Sequence, residues 1–329
     1  MRHFSEKKEQ VTCAVRFGSQ LQIGFMLFSA KGPLPDTISD FWRMIIQEHC
    51  SIIVMLCNLV EHGREKCSAY YPTDVKKPFN VGNTTITLTK QTTSTYGNIM
   101  SDWTVQDKSW KDRQLKIRHI QCTSWEDQTA PSDLLPVVEV LHEMAKNPVG
   151  HPIVIHCSAG VGRTCTLLGI QLLLERTKKG KDATGVSVMR YLRNRRYGAI
   201  QKGIQFVFLH RVVIELLCQA GIKKTSDEKV VKFHEQYQRL LSKQRRIVFA
   251  AVESKIKSPP TAKPIPIKPA PEPEVLKTQM DDEDEKPTHS EKKLTAEDIT
   301  KTIEERLLIS MECTGGKEDL PEADFAEFL

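Results

Sequence analysis

Nine cysteines are spread over the 329 residues, and Cys157 alone is followed six positions later by an arginine, Arg163. Between them lie Ser158, Ala159, Gly160, Val161 and Gly162, with His156 before the cysteine and Thr164 after the arginine. A free thiol has a pKa near 8.5, so only about 3% is thiolate at pH 7. A ring of backbone N–H donors, a helix N-terminus and a guanidinium around Cys157 are expected to lower that value. A drop of about two units would raise the active nucleophile roughly 30-fold. Arg163 carries a planar fork that can grip two phosphate oxygens, which a lysine cannot do. These residue types at this spacing fit thiolate attack on a bound phosphate ester.

Such a site needs a strand, a tight loop and a helix in that order. The run Pro152 to His156 is short and β-branched without polar alternation, which suits a strand buried on both faces. Arg163–Lys179 reads as a helix closed by Gly180. The glycine-containing turn between them lets several N–H groups point inward, and the helix dipole adds positive potential there. Further helices are expected at Thr37–His49 (Thr37 and Asp40 as a capping box), Ser132–Asn147, Ala183–Arg196, Lys202–Ala220 closed by Gly221, and about Ser226–Val252. The last carries Val230, Phe233, Tyr237, Leu240 and Leu241 on one stripe. Strands are expected at Ile52–Leu56, Thr84–Thr89, Trp103–Gln106 and Leu115–Cys122. The class is α/β, with helices around a twisted mixed sheet.

Apolar residues make up 40% of the chain, which excludes wholesale disorder. The longest apolar run, Ser51 to Val60, is about half of what a bilayer requires, so no membrane span is expected. The polar N-terminus argues against a secretory signal. No C-x-x-C pair or zinc-finger spacing occurs, so a reducing, cytoplasmic setting without bound metal or cofactor is expected. Residues 259–329 hold 9 basic and 18 acidic residues, a net of −9, and by difference residues 1–258 carry +15. The first part should attract anions. It lacks the aromatic–basic interleaving of a nucleic-acid binder, so nucleic acid is not an expected partner. Seven of the 17 prolines fall between Pro259 and Pro273, and an acidic run, Asp281 to Glu285, follows. The expected division is a domain at 1–255 and a Pro-rich, then acidic, disordered tail at 256–329. The tail could dock on a partner. A marginal helix is expected from Thr295 to about Leu308, with Thr295 and Asp298 as a capping box.

The stretch HCSAGVGRT (His156–Thr164) resembles the signature loop of the cysteine-dependent protein tyrosine phosphatases, in their phosphotyrosine-selective branch. Four more segments resemble motifs of that family in the right order: Gly32–Ile45, Ile53–Pro72, Thr123–Pro131 and Ile200–Val213. The resemblance implies a protein tyrosine phosphatase fold, a cysteinyl-phosphate intermediate, phosphotyrosine-containing proteins as substrates, and no cofactor. It makes Cys157 the nucleophile and Arg163 the phosphate clamp, with Ser158 to Gly162 lining the substrate. Asp127 would be the general acid and then base, Gln201 would position water beside Gln205, and Thr164 would donate to the departing thiolate. Glu61 looks like the partner orienting Arg163, Lys66 like the residue steadying the acid loop, and Trp125 like its hinge. His156 would support the thiolate, and Arg193 and Arg196 would brace the signature loop and the hinge.

Four departures follow from the same likeness. Glu126 stands where the family has proline before the acid, removing a backbone restriction. Its charge beside Asp127 is expected to raise the acid's pKa. Thr129 replaces a glycine two positions after the acid, and Lys202 a threonine after Gln201. About 31 residues precede the Gly32 motif, and none resembles the family's substrate loop, whose tyrosine stacks on the phosphotyrosine ring. The domain is therefore expected to be shortened at its front. Two readings stay open: an active phosphatase, and a feebly active domain that binds phosphotyrosine as a scaffold.

Overall fold

The β-branched run ahead of the signature loop folds as a strand, Ile153–Cys157, with all five residues buried. It lies between two parallel neighbours, which is why its sequence carries no polar alternation. A computed structural model describes residues 15–17, 26–111, 113–148, 150–178 and 184–257.

In chain order the elements are β1 (Val15–Phe17), β2 (Leu27–Lys31), α1 (Ile38–Gln47), β3 (Ile52–Met55), β4 (Val60–Glu61), β5 (Arg64–Glu65), β6 (Phe79–Val81), β7 (Thr84–Thr93), β8 (Ile99–Asp107) and β9 (Leu115–Gln121). Then come α2 (Leu135–Ala145), β10 (Ile153–Cys157), α3 (Arg163–Lys178), α4 (Gly185–Arg193), α5 (Gly203–Gln219) and α6 (Glu228–Lys257). Eight strands form one mixed sheet in the order β1-β2-β10-β3-β9-β8-β7-β6, and β4 pairs with β5 as a separate hairpin. β2, β10, β3 and β9 are mutually parallel, so their C-terminal ends share one edge of the sheet. Cys157 ends β10 on that edge. Ligand sites of open α/β sheets form outside such ends.

Helices flank the sheet. α1 buries Phe41, Trp42 and Ile45, three positions on one helical face. Its Trp42 Nε1 donates to the Tyr70 carbonyl at 2.8 Å. α3 packs on β10, β2, α4 and α5. α6 buries Val230 and Phe233 against Ile214 of α5.

Several expectations need correction. Thr37 makes no side-chain cap on α1. Its hydroxyl accepts from the Leu34 N–H at 2.8 Å, closing the preceding 3-10 turn, and Asp40 pairs with Arg43 instead. β7 and β8 run several residues past the expected spans because they form one long hairpin. There cross-strand pairing carries polar stretches such as Lys90–Thr93 beyond the buried ladder. Leu240, placed on the buried stripe of the last helix, is 47% exposed, while Tyr237 and Leu241 beside it are buried. β1, β2, β4, β5 and β6 have no counterpart in the expected strands. The expected closing residue Gly180, residues 258–329 of the expected 256–329 tail, and the expected helix from Thr295 to about Leu308 lie outside the described residues.

Candidate active site

The loop from Ser158 to Gly162 turns all of its carbonyls outward. Ser158 O accepts from the Gly32 N–H at 2.9 Å, and Ala159 O from Arg196 Nη2 at 3.0 Å. Gly160 O accepts from Arg196 Nε at 2.5 Å and from the Ser29 hydroxyl at 3.2 Å. Val161 O accepts from the Ile200 N–H at 2.9 Å, and Gly162 O from the N–H and hydroxyl of Thr166, both at 2.9 Å. In a trans peptide the next N–H points opposite the carbonyl. The N–H groups of residues 159 to 163 therefore converge on one concavity at the N-terminus of α3. Gly160 N–H donates to Cys157 Sγ at 3.2 Å, which puts the sulfur at the floor of that ring. This is an anion cradle.

Gly160 is held at φ +69°, and a Cβ there would lie 2.2 Å from the Ala30 carbonyl oxygen. No side chain fits. His156, next to the cysteine, is fully buried. Its Nε2 lies 2.7 Å from the Tyr70 hydroxyl, which also meets His119 Nε2 at 3.0 Å. Burial keeps the His119 imidazole well below its ordinary pKa, with the charge of His156 adding to the effect.

Arg163 opens α3 and is 1% exposed. Glu61, on the β4–β5 hairpin, takes it bidentately, Oε1 to Nη1 at 2.6 Å and Oε2 to Nη2 at 3.0 Å. Burial works to lower the Arg163 pKa, but the Glu61 hydrogen bond and charge raise it further, so the guanidinium is permanently charged. Nη1 also donates to the Trp125 carbonyl at 2.8 Å. Among the described residues, the buried Arg163 Nε and Thr164 hydroxyl have no hydrogen-bond partner. Orphaned buried donors at a helix N-terminus are what an incoming oxyanion would satisfy.

Asp127 reaches the same guanidinium, Oδ1 to Nη2 at 3.4 Å, while Lys66 Nζ donates to its Oδ2 at 2.6 Å. Burial pushes the Asp127 pKa up, yet Lys66 and Arg163 outweigh it and hold the group below the usual carboxylate value. The expected rise from Glu126 is thus overridden, since that side chain is exposed and Asp127 meets two cations. Trp125 is buried, its Nε1 donating to the Thr129 carbonyl at 2.9 Å and its ring against Phe208 at 5.1 Å. The Thr129 hydroxyl donates to the Glu126 carbonyl at 3.0 Å, closing a turn in which Gln128 adopts φ 59°.

Gln201 and Gln205 lie over the loop. A Cβ on Gly162 would meet Gln201 Oε1 at 3.0 Å and Gln205 Nε2 at 3.1 Å. Gln205 Oε1 accepts from the N–H groups of Gln201 and Lys202 at 3.1 and 3.2 Å, which fixes it, and its Nε2 is unpartnered. Arg196 sits under the loop, as described. Arg193 donates to the carbonyls of Ala199 and Ile200 at 3.0 and 3.2 Å, so it braces the turn that leads to Gln201. Trp125, expected as the hinge, is held by Arg163, Thr129 and Phe208. Ser29 on a loop carbonyl and Tyr70 behind His156, neither given a role in the sequence reading, complete the site, together with Gly32 on the Ser158 carbonyl and Thr129 in the turn after Asp127. The Ile53–Pro72 motif contained Tyr70, but Ser29 lies in a run with no distinguishing pattern.

The family model of protein-tyrosine phosphatase matches residues 20–215. The chain belongs to this family. It is 34% identical over 225 residues to tyrosine-protein phosphatase 99A of Drosophila melanogaster, covering 64% of this chain and 17% of that one. It is 32% identical over 218 residues to the protein-tyrosine-phosphatase PTP1 of Arabidopsis thaliana, covering 65% and 64%. The chain thus spans less than two thirds of the length of either relative. Among solved structures it is similar to PTPN18 in complex with HER2 phosphor-peptides, with a TM-score of 0.54, 26% identity, and 58% and 72% of the two chains covered. The protein-tyrosine phosphatase architecture, a mixed sheet flanked by helices, is that of the present chain. Among the described residues no helix is long and apolar enough to cross a membrane.

Proposed function

We propose that this protein-tyrosine phosphatase domain hydrolyses phosphotyrosine in proteins through a cysteinyl-phosphate. The observation that carries the proposal is the set of outward-bonded carbonyls from Ser158 to Gly162, which leaves the N–H ring and Arg163 Nε free for three equatorial phosphate oxygens. In the first step the Cys157 thiolate attacks phosphorus in line, the S–P bond forms, and the bond to the tyrosine oxygen breaks. Asp127 gives its proton to that oxygen. A phenol has a pKa near 10, so one positioned acid suffices. In the second step Asp127 takes a proton from a water held by Gln201. The resulting hydroxide attacks phosphorus, and the thiolate leaves with a hydrogen bond from Thr164. Glu61 keeps the Arg163 fork in register, and Arg193 and Arg196 hold the two turns that frame the phosphate. The substrate class is supported by the phosphopeptide complexes of the similar PTPN18. The domain is read as residues 1–255, acting in the cytoplasm on phosphotyrosine-containing proteins.

Asp127 begins paired to Lys66 and Arg163 as a carboxylate. To donate, it must acquire a proton beside the substrate dianion, whose charge raises its pKa. This pairing, with Glu126 alongside, favours a second reading in which the domain binds phosphotyrosine and turns it over feebly. Purified protein assayed on phosphotyrosine and phosphoserine peptides tests the first. Selective turnover of phosphotyrosine, abolished by Cys157→Ser and lowered by Asp127→Ala, is expected. Binding of the phosphotyrosine peptide without turnover by the unaltered protein gives the second reading, and neither binding nor turnover overturns both.

A further inference from the structure

A cleft of about 380 Å³ lies between the start of β7 and the β8–β9 loop. It is lined by Asn83, Lys108, Trp110, Lys111 and Arg113, among others. It sits far from Cys157 by topology. β8 ends at Asp107 opposite Thr84 of β7, beside the N-terminal end of β9, whereas the catalytic residues cluster at the C-terminal ends of β9, β3 and β10.

Cations outnumber carboxylates in this cleft: Lys108, Lys111 and Arg113 line it against Asp107, and Asp112 follows Lys111 in the sequence. Lys108, Lys111 and Arg113 are exposed, and none makes an ion pair to a carboxylate among the described residues. The Asp107 carboxylate is already occupied by the Ser109 N–H at 2.9 Å, the Ser109 hydroxyl at 2.6 Å and the Thr84 hydroxyl at 3.0 Å. Arg113 is preorganised rather than loose: its Nη2 lies 2.9 Å from His49 Nδ1, and its guanidinium sits 5.3 Å from the Trp110 ring centre. The Lys108 N–H is fixed on the Asn83 carbonyl at 3.0 Å. Three cations on a pinned loop, facing a concavity with an indole at its wall, suit a run of carboxylates on an extended peptide.

The same chain carries such a run. Asp281 to Glu285 are five consecutive acidic residues in a segment, 259–329, of net charge −9, whereas residues 1–258 carry +15. α6 ends at Lys257, and the 23 residues between it and Asp281 include seven prolines. At about 3.1 Å per residue that spacer extends to roughly 70 Å, more than the width of a domain of this size, about 45 Å. Tethering also sets a local concentration of order 1 mM, so weak individual ion pairs suffice to populate the contact.

We propose that the cleft formed by Asn83, Lys108, Trp110, Lys111 and Arg113 is a docking site for the chain's own acidic segment, Asp281–Glu285. The proposal is independent of the catalytic reading. The test uses the full chain with a benzophenone amino acid placed at Glu283, irradiated and mapped by mass spectrometry. Intramolecular cross-links to residues 83–85 and 106–114 are expected. They should fall at least fivefold in the triple variant Lys108→Glu, Lys111→Glu, Arg113→Glu, and likewise in about 0.7 M salt, where screening shortens to about 4 Å. Adding Asp281→Lys, Asp282→Lys and Asp284→Lys to the triple variant should restore them. That rescue excludes misfolding as the cause of the loss. Cross-links to other surfaces, cross-links indifferent to the triple variant, their absence, or dimeric products that grow with protein concentration would each overturn the proposal.

Discussion

Glu61 is the counter-ion of a buried arginine, and replacing it by glutamine isolates that role. The amide oxygen can keep the bonds that Oε1 now makes, to the Asn58 N–H at 3.0 Å and to Arg163 Nη1 at 2.6 Å. The amide nitrogen must then face Arg163 Nη2, where a 3.0 Å charge-assisted bond stood. Losing such a bond costs about 1.5–3 kcal/mol, and stripping the partner from a buried charge costs about 3–5 kcal/mol in all. Arg163 retains the Trp125 carbonyl at 2.8 Å and Asp127 at 3.4 Å, which pulls the figure to the low end. Glu61→Gln should therefore destabilise by about 3 kcal/mol and lower Tm by about 6–12 °C for a domain of this size. Urea unfolding at pH 7 in phosphate-free buffer measures it. The freed guanidinium should also lean toward Asp127, dropping kcat/KM on an aryl phosphate about 100-fold. A loss under 1 kcal/mol, with kcat/KM within threefold, would refute the idea that Glu61 holds the fork in place.

Gly160→Ala must resolve a 2.2 Å approach to the Ala30 carbonyl at φ +69°. It should cost about 2–4 kcal/mol in thermal unfolding and remove vanadate binding by calorimetry. Lys66→Met should raise the Asp127 pKa. The unaltered Asp127 is depressed in the folded state, so its contribution to stability is present above the unfolded value, near 3.9, and is lost as pH falls through the folded one. The Tm gap between wild type and Lys66→Met should hold at pH 6–7 and close below about pH 4. In pH–rate profiles the limb assigned to Asp127 should move to higher pH in the variant. Peroxide should inactivate the enzyme and dithiothreitol restore it, with mass spectrometry placing the oxidation on Cys157. Permanent loss, or oxidation elsewhere, would contradict Cys157 as the nucleophile of the cradle.

What was legible in the sequence is what local chemistry dictates. β10 announced itself because burial on both faces removes polar alternation, and the loop after it because Gly160 and Gly162 are the residues a tight N–H ring requires. α5 followed from its end signal, Gly221, which takes a positive φ just past the helix. β2 stayed invisible because five residues, LFSAK, carry no period of either kind, although Ser29 and Ala30 in it form the back wall of the loop. Long-range pairing, not propensity, decides such a strand. Thr37 misled because a hydroxyl at a helix start can cap the turn before as readily as the helix after. The direction of the Asp127 shift was misjudged for a similar reason. Glu126 is its neighbour in sequence, but Lys66 and Arg163, 61 residues before and 36 after, are its neighbours in space.

The loop's donors face inward only while its carbonyls are held from outside, and two of those holds, Ser29 and Gly32, belong to β2 and the residue just beyond it. Among the described residues, β2 is paired on its far side by the three residues of β1. Fraying at that border would let single peptides rotate, and each rotation would swap a donor for an acceptor in the ring. Oxyanion affinity is therefore a gauge of how firmly the sheet's margin is closed. Saturating phosphate should in turn retard hydrogen exchange at the Gly32 amide, on the outer side of the loop from the bound ion.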